Sequence, residues 1–153
     1  MKSLKIIIYL FILSFSAHAQ IRLPKLISDN IVLQRDQPIK IWGWASPKEK
    51  IELNFNKKKY KTITSDDGKW KLMLPPQPAG TGYEFSLKGK NDVTIKNIAF
   101  GDVFLCIGQS NMVHQMDIHN ITYAKDIETA NYPEIRHLFI PTRTNLVGKQ
   151  NDL

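Results

Sequence analysis

Gly101-Asp102-Val103-Phe104-Leu105-Cys106-Ile107-Gly108-Gln109-Ser110-Asn111-Met112 is the stretch on which the fold turns. Val103 to Ile107 is an apolar run too short for a full helix. With glycine on both sides and no polar alternation, it predicts a strand buried on both faces. Gly108 ends that strand, and Ser110 falls just past its carboxyl end. Open α/β sheets place their chemistry there, because backbone N–H groups and a helix N-terminus converge on that edge. A serine so placed can be a nucleophile, its oxyanion held by its own amide and its neighbours'. The same residues also suit a helix cap, with Ser110 or Asn111 accepting an orphan N–H. Taken alone, the Gly-x-Ser pattern favours the cap.

Downstream, Thr122–Ala130 has the composition of a helix, and Ile135–Ile140 reads as a second strand stopped by Pro141. The spacing, roughly thirty residues, suits a right-handed βαβ crossover. A single unit of this kind cannot cover both faces of a parallel sheet. The segment 101–153 is therefore expected to be the incomplete first βαβ portion of an α/β domain. The chain would be the front of a longer enzyme or a truncated product.

Upstream, the pattern is that of half-buried strands. Ile51, Leu53 and Phe55 alternate with Glu52, Asn54 and Asn56. Trp70, Leu72 and Leu74 do the same, as do Tyr83, Phe85 and Leu87, and Val93 with Ile95. Ile31–Leu33 and Ile39–Trp44 flank a polar turn at Arg35-Asp36-Gln37-Pro38, Lys57-Lys58-Lys59 looks like a hairpin turn, and Asp67-Gly68 is a hairpin signal. Six or seven short strands with such regular turns predict an antiparallel β-sandwich over 20–100. Trp42 and Trp44 could stack on sugar rings, but core packing is the favoured role, since no convergent polar groups are evident nearby.

Residues 1–19 read as a secretory signal. Lys2 and Lys5 form the basic region, Ile6 to Phe15 the apolar core, and Ala17-His18-Ala19 the cleavage site, placing the cut between Ala19 and Gln20. An apolar core of about ten residues is half the roughly twenty that a membrane span needs. The mature protein is expected to be secreted or periplasmic, with no membrane span after cleavage. Removing Lys2 and Lys5 from the 21 basic residues leaves 19 against 14 acidic, so the formal charge falls from +7 to +5. No basic stripe interleaved with aromatics marks a nucleic-acid surface, and the lysines read as a solvated face. The single cysteine, Cys106, lies in the expected buried strand and excludes a disulfide framework or a cysteine zinc site. No cluster has metal-ligand spacing.

The Gly101–Met112 block resembles the first signature block of the sialate O-acetylesterase family, a carbohydrate-esterase branch of the SGNH hydrolases. Leu33-Gln34-Arg35, Ile41-Trp42-Gly43-Trp44-Ala45, Asp67-Gly68-Lys69-Trp70 and Leu74-Pro75-Pro76 look like that family's N-terminal β domain. Tyr132-Pro133-Glu134-Ile135-Arg136 and Phe139-Ile140-Pro141 look like the next strand of its hydrolase domain. The resemblance implies a β-sandwich followed by the truncated start of an α/β/α SGNH-hydrolase-like domain. It makes Ser110 the nucleophile, with Gly108, Gln109 and Asn111 supporting the loop or the oxyanion. The implied substrate is an O-acetylated sugar, deacetylated without cofactor or metal. The alternative is a secreted carbohydrate-binding or docking β-sandwich.

A serine hydroxyl needs a base within hydrogen-bond reach. The family's base is a histidine in a late Asp-x-x-His block, and no such pattern follows Ser110. Asp117-Ile118-His119 is one residue short. His18 belongs to the signal, and His114, His119 and His137 each have an ordinary structural role open to them. Asp102 precedes a strand about 17 Å long whose far end carries Ser110, which makes it a turn residue and not a triad member. Without a base, this length of chain is expected to be inactive alone. Asn120-Ile121-Thr122 is a formal glycosylation sequon.

Overall fold

A computed structural model describes residues 20–140. The expected signal at 1–19 and the stretch 141–153, with Pro141, lie outside the described residues. Seven strands account for most of the order: β1 Val32–Gln34, β2 Ile39–Trp44, β3 Lys50–Phe55, β4 Lys58–Ile63, β5 Lys69–Leu74, β6 Gly80–Lys88 and β7 Asp92–Gly101. They form a five-stranded sheet in the order β1-β7-β6-β3-β4 and a two-stranded ribbon, β2-β5.

Period-two alternation builds the core from both sheets. Ile39 and Ile41 of β2 and Trp70, Leu72 and Leu74 of β5 meet Ile51, Leu53 and Phe55 of β3, Phe85 and Leu87 of β6, and Ile95, Ile98 and Phe100 of β7. Phe55 lies edge-on to Phe85 at 4.9 Å between ring centroids, and Tyr83 packs on Phe100 at the same separation, a geometry that suits aromatic quadrupoles. The all-β expectation for this region holds, with one correction. The sheet is mixed, because β1 runs parallel to β7 with Gln34 opposite Gly101. Alternation reports which face is buried and is silent on strand direction and partner.

The polar turn at Arg35–Pro38 is present: Asp36 takes φ 55° and sends the chain from β1 in one sheet to β2 in the other. Asp67-Gly68 differs from expectation: it closes no hairpin and carries the chain from β4 to β5, which belong to different sheets. The tight hairpin is β3–β4, where Phe55 pairs with Lys58 and the two loop residues, Asn56 and Lys57, have φ 47° and 61°. Positive φ at both positions gives the twist a two-residue hairpin needs.

After Gly101 the order thins. Residues 102–108 join no ladder, and Val103, Phe104, Leu105 and Ile107 are 52–84% exposed. The expected buried strand is therefore not formed: among the described residues no neighbouring strand pairs with it and no layer covers it. Cys106 is accordingly exposed and not a core residue. The expected helix is present but shorter, as α1 Ala124–Thr129, and Ile135–Ile140 is non-regular and, apart from Arg136, exposed. Among the described residues the start of an α/β/α domain is thus not seen.

Candidate functional site

The segment that carries Ser110 leaves the β domain through a side-chain clip. Arg35 N–H donates to Gly101 O at 3.0 Å, carrying the parallel ladder one step past Gln34. Gln34 Oε1 accepts Val103 N–H at 3.0 Å, and the Arg35 guanidinium spans Asp102 with Nε–Oδ1 at 3.0 Å and Nη2–Oδ2 at 3.5 Å. The hydrogen bonds that Arg35 donates to Asp102 hold the carboxyl below its usual range and the guanidinium above its own. Asp102 is thus occupied at the turn, as its position before the apolar run implies.

The chain then runs without regular structure to Gly108. A Cβ there would lie 2.4 Å from Met112 Cγ, so the glycine lets the methionine fold back over the turn. Gly108 has no left-handed φ, and its role is one of space. Gln109 is extended (φ −90°, ψ −150°), and its carbonyl accepts Met112 N–H at 2.9 Å, closing the 3-10 turn Ser110–Val113. The N-cap position falls on Gln109, whose side chain makes no capping bond. The cap role open to Ser110 and Asn111 is therefore not taken up. Gly108, Gln109, Ser110 and Asn111 are contiguous and exposed.

No base reaches the Ser110 hydroxyl among the described residues. His114 and His119 face each other, with Nδ1 of the first 3.4 Å from Nε2 of the second, and the His119 ring stands edge-on to Tyr123. Asp117 lies within the second 3-10 turn, Met116–His119, and is exposed, as is His137. No group of three or more potential metal ligands occurs among the described residues. No described helix is long and apolar enough to cross a membrane.

One anchor was not legible in the sequence. Arg136 donates through Nη1 to Asn97 O and to Ile31 O, and through Nη2 to Asn97 Oδ1. It ties the far end of the segment to the β domain at Asn97, a residue with φ 54°. The signal that could have located it is the asparagine, which tolerates the left-handed conformation of a bulge better than most residues.

No protein-family model matches the chain. It is 29% identical over 142 residues to the sialate O-acetylesterase of Pongo abelii, covering 84% of this chain and 27% of that protein. It is 30% identical over 137 residues to the sialate O-acetylesterase of Mus musculus, covering 80% of this chain and 25% of that one. Among solved structures, the crystal structure of a carbohydrate acetylesterase from Xanthomonas citri superposes with a TM-score of 0.52 at 36% identity, over 54% of this chain and 19% of that one. The chain spans about a quarter of the length of the curated relatives it matches. Less than a sixth of the chain lies outside the Pongo abelii match, fewer residues than flank Ser110 on either side, so the match includes Ser110.

Proposed function

We propose that this chain, a distant homologue of the sialate O-acetylesterases, is the N-terminal part of an extracytoplasmic carbohydrate O-acetylesterase with Ser110 as its nucleophile. The observation that carries this is Ser110 on an exposed turn inside a segment homologous to such enzymes. Ser110 Oγ attacks the acetyl carbonyl, the sugar hydroxyl leaves, and water hydrolyses the acetyl-enzyme to acetate and free serine. The chemistry calls for no cofactor or metal. Gly108, Gln109 and Asn111 shape the turn, and N–H groups there are suited to stabilising the oxyanion. The base and further oxyanion donors come from polypeptide beyond the described residues. Exposure of Val103, Phe104, Leu105 and Ile107 supports this, since an apolar run of that kind belongs in a covered sheet.

The substrate class is an O-acetylated sugar, with sialic acid the first to test. The N-terminal sequence supports export, with cleavage between Ala19 and Gln20. The test is acetate release from O-acetylated sialic acid by the reading frame extended past Leu153. Wild-type protein is expected to release acetate, and Ser110→Ala to lose at least about a thousandfold in kcat/KM. Undiminished release by the variant would overturn the assignment.

A further inference from the structure

On the β2–β5 ribbon, alternation sends Ile39 and Ile41 into the core and leaves Lys40, Trp42 and Trp44 on the outer face. The facing residues in the ladder are Met73, Lys71 and Lys69, all exposed. With Thr62 and Ile63 at the end of β4, this face forms a groove of about 500 Å³, within the size range of small-ligand sites. The chain has three tryptophans, and all three line it.

Three features bear on what fits there. Trp42 is only half-buried, and it offers an indole above a largely apolar floor. Arg22 lies over one face of the Trp44 ring at 3.9 Å, while Lys40 Nζ stands farther off, 5.4 Å from the Trp42 ring centroid, so Trp42 is the less closely covered stacking surface. Lys69 is ion-paired with Asp67 at 2.8 Å, whereas Lys40 and Lys71 meet no carboxylate among the described residues. Trp70 is buried, and its Nε1 has no hydrogen-bond partner among the described residues.

We propose that this groove is a carbohydrate-binding site, separate from Ser110, that takes a sugar bearing a carboxylate. The apolar C–H face of a pyranose ring stacks on Trp42, the ammonium groups of Lys40 and Lys71 hold the carboxylate, and Thr62 supplies a hydroxyl to the ring substituents. A neutral sugar would leave both ammonium groups unmatched. A nucleic acid would call for a longer basic track with successive stacking platforms. The site goes beyond the esterase assignment and does not depend on it.

The test is calorimetric titration of the chain, with tryptophan fluorescence in parallel, because every tryptophan is in the groove. The probes are a sialylated oligosaccharide and an oligogalacturonate, both free of acetyl esters, a neutral oligosaccharide of equal length, and a thymidine oligonucleotide. Saturable binding of one or both acidic sugars is expected, and which of the two binds identifies the carboxylate source. Trp42→Ala should weaken it at least tenfold and Lys40→Gln/Lys71→Gln several-fold, while Ser110→Ala leaves it unchanged. The lysine variant alters only exposed side chains, so it decides the matter if Trp42→Ala does not fold. No binding, equal binding of the neutral sugar or the oligonucleotide, or wild-type affinity in the lysine variant would each overturn the proposal. Loss of deacetylation with retained binding, or the reverse, separates this site from the esterase.

Discussion

Arg35 and Asp102 are 67 residues apart in sequence and meet in a forked ion pair, Nε to Oδ1 at 3.0 Å. The pair joins the end of β1 to the residue after β7, where the segment bearing Ser110 departs. Both partners are substantially exposed, so the pair adds little to global stability and acts locally, on the direction in which the chain leaves the sheet. Arg35→Ala is expected to leave the thermal midpoint of the β domain nearly unchanged while speeding proteolysis within 102–108. Asp102→Asn should do the same, and the double variant should be no worse than either single one. Equal proteolysis rates in wild type and Arg35→Ala would contradict the clip.

The clip has a pH dependence of fixed sign. The Asp102 carboxyl titrates below its reference value of 3.8 when folded. Its contribution is complete above that value and disappears as the pH falls through the lower, folded pKa. Asp67 behaves likewise, held down to about 2 by a hydrogen bond from Lys69 and another from the Ser65 hydroxyl. NMR titration of the carboxyl carbons should place the Asp67 midpoint near 2, and Lys69→Ala should move it up toward 3.8.

Lys57 occupies the left-handed region at φ 61° in the β3–β4 hairpin. A lysine there is strained in a way glycine is not. Lys57→Gly is expected to stabilise the domain by about 1 kcal/mol, read as a raised denaturant midpoint with an unchanged slope.

Glu49 is a buried carboxylate whose work is done by the backbone: Oε2 accepts Ser46 N–H at 3.0 Å and Oε1 accepts Lys90 N–H at 2.6 Å. Glu49→Ala removes the carboxylate that accepts from both, the Ser46 bond being buried and the Lys90 bond part-buried, and should cost about 1–3 kcal/mol. A Cβ at Gly89 would fall 2.5 Å from Glu49 Oε1 and 2.8 Å from Ile21 Cδ1. Gly89→Ala should therefore also destabilise, and less so when Glu49 is already alanine. Strict additivity in thermal melts would contradict the contact.

Where alternation runs unbroken, as in β3 and β5, the core was legible residue by residue. β7 shows where it stops being so. Val93 and Ile95 keep the period, but Asn97 inserts a residue at a bulge, and Ile98 and Phe100 return to the core out of step. The parallel pairing of β1 with β7 was hidden for another reason, since three residues carry no mark of a partner lying far along the chain. Sequence alone favours packing for Trp42 and Trp44, and Trp42 does touch the core. Their shared outward face, and the lysines across the ladder, become visible only once β2 is paired with β5. Around Ser110 the residues were legible and their arrangement was not. A strand covered on both faces depends on neighbours that the described residues do not include.

The most direct measurement is covalent capture at the hydroxyl itself. The extended protein is mixed rapidly with an activated acetyl ester, quenched in acid, digested, and its peptides are weighed by mass spectrometry. One added acetyl group on the peptide carrying Ser110, absent from Ser110→Ala, is the predicted result. An acetyl group trapped on a different residue, with turnover intact in Ser110→Ala, would contradict the account.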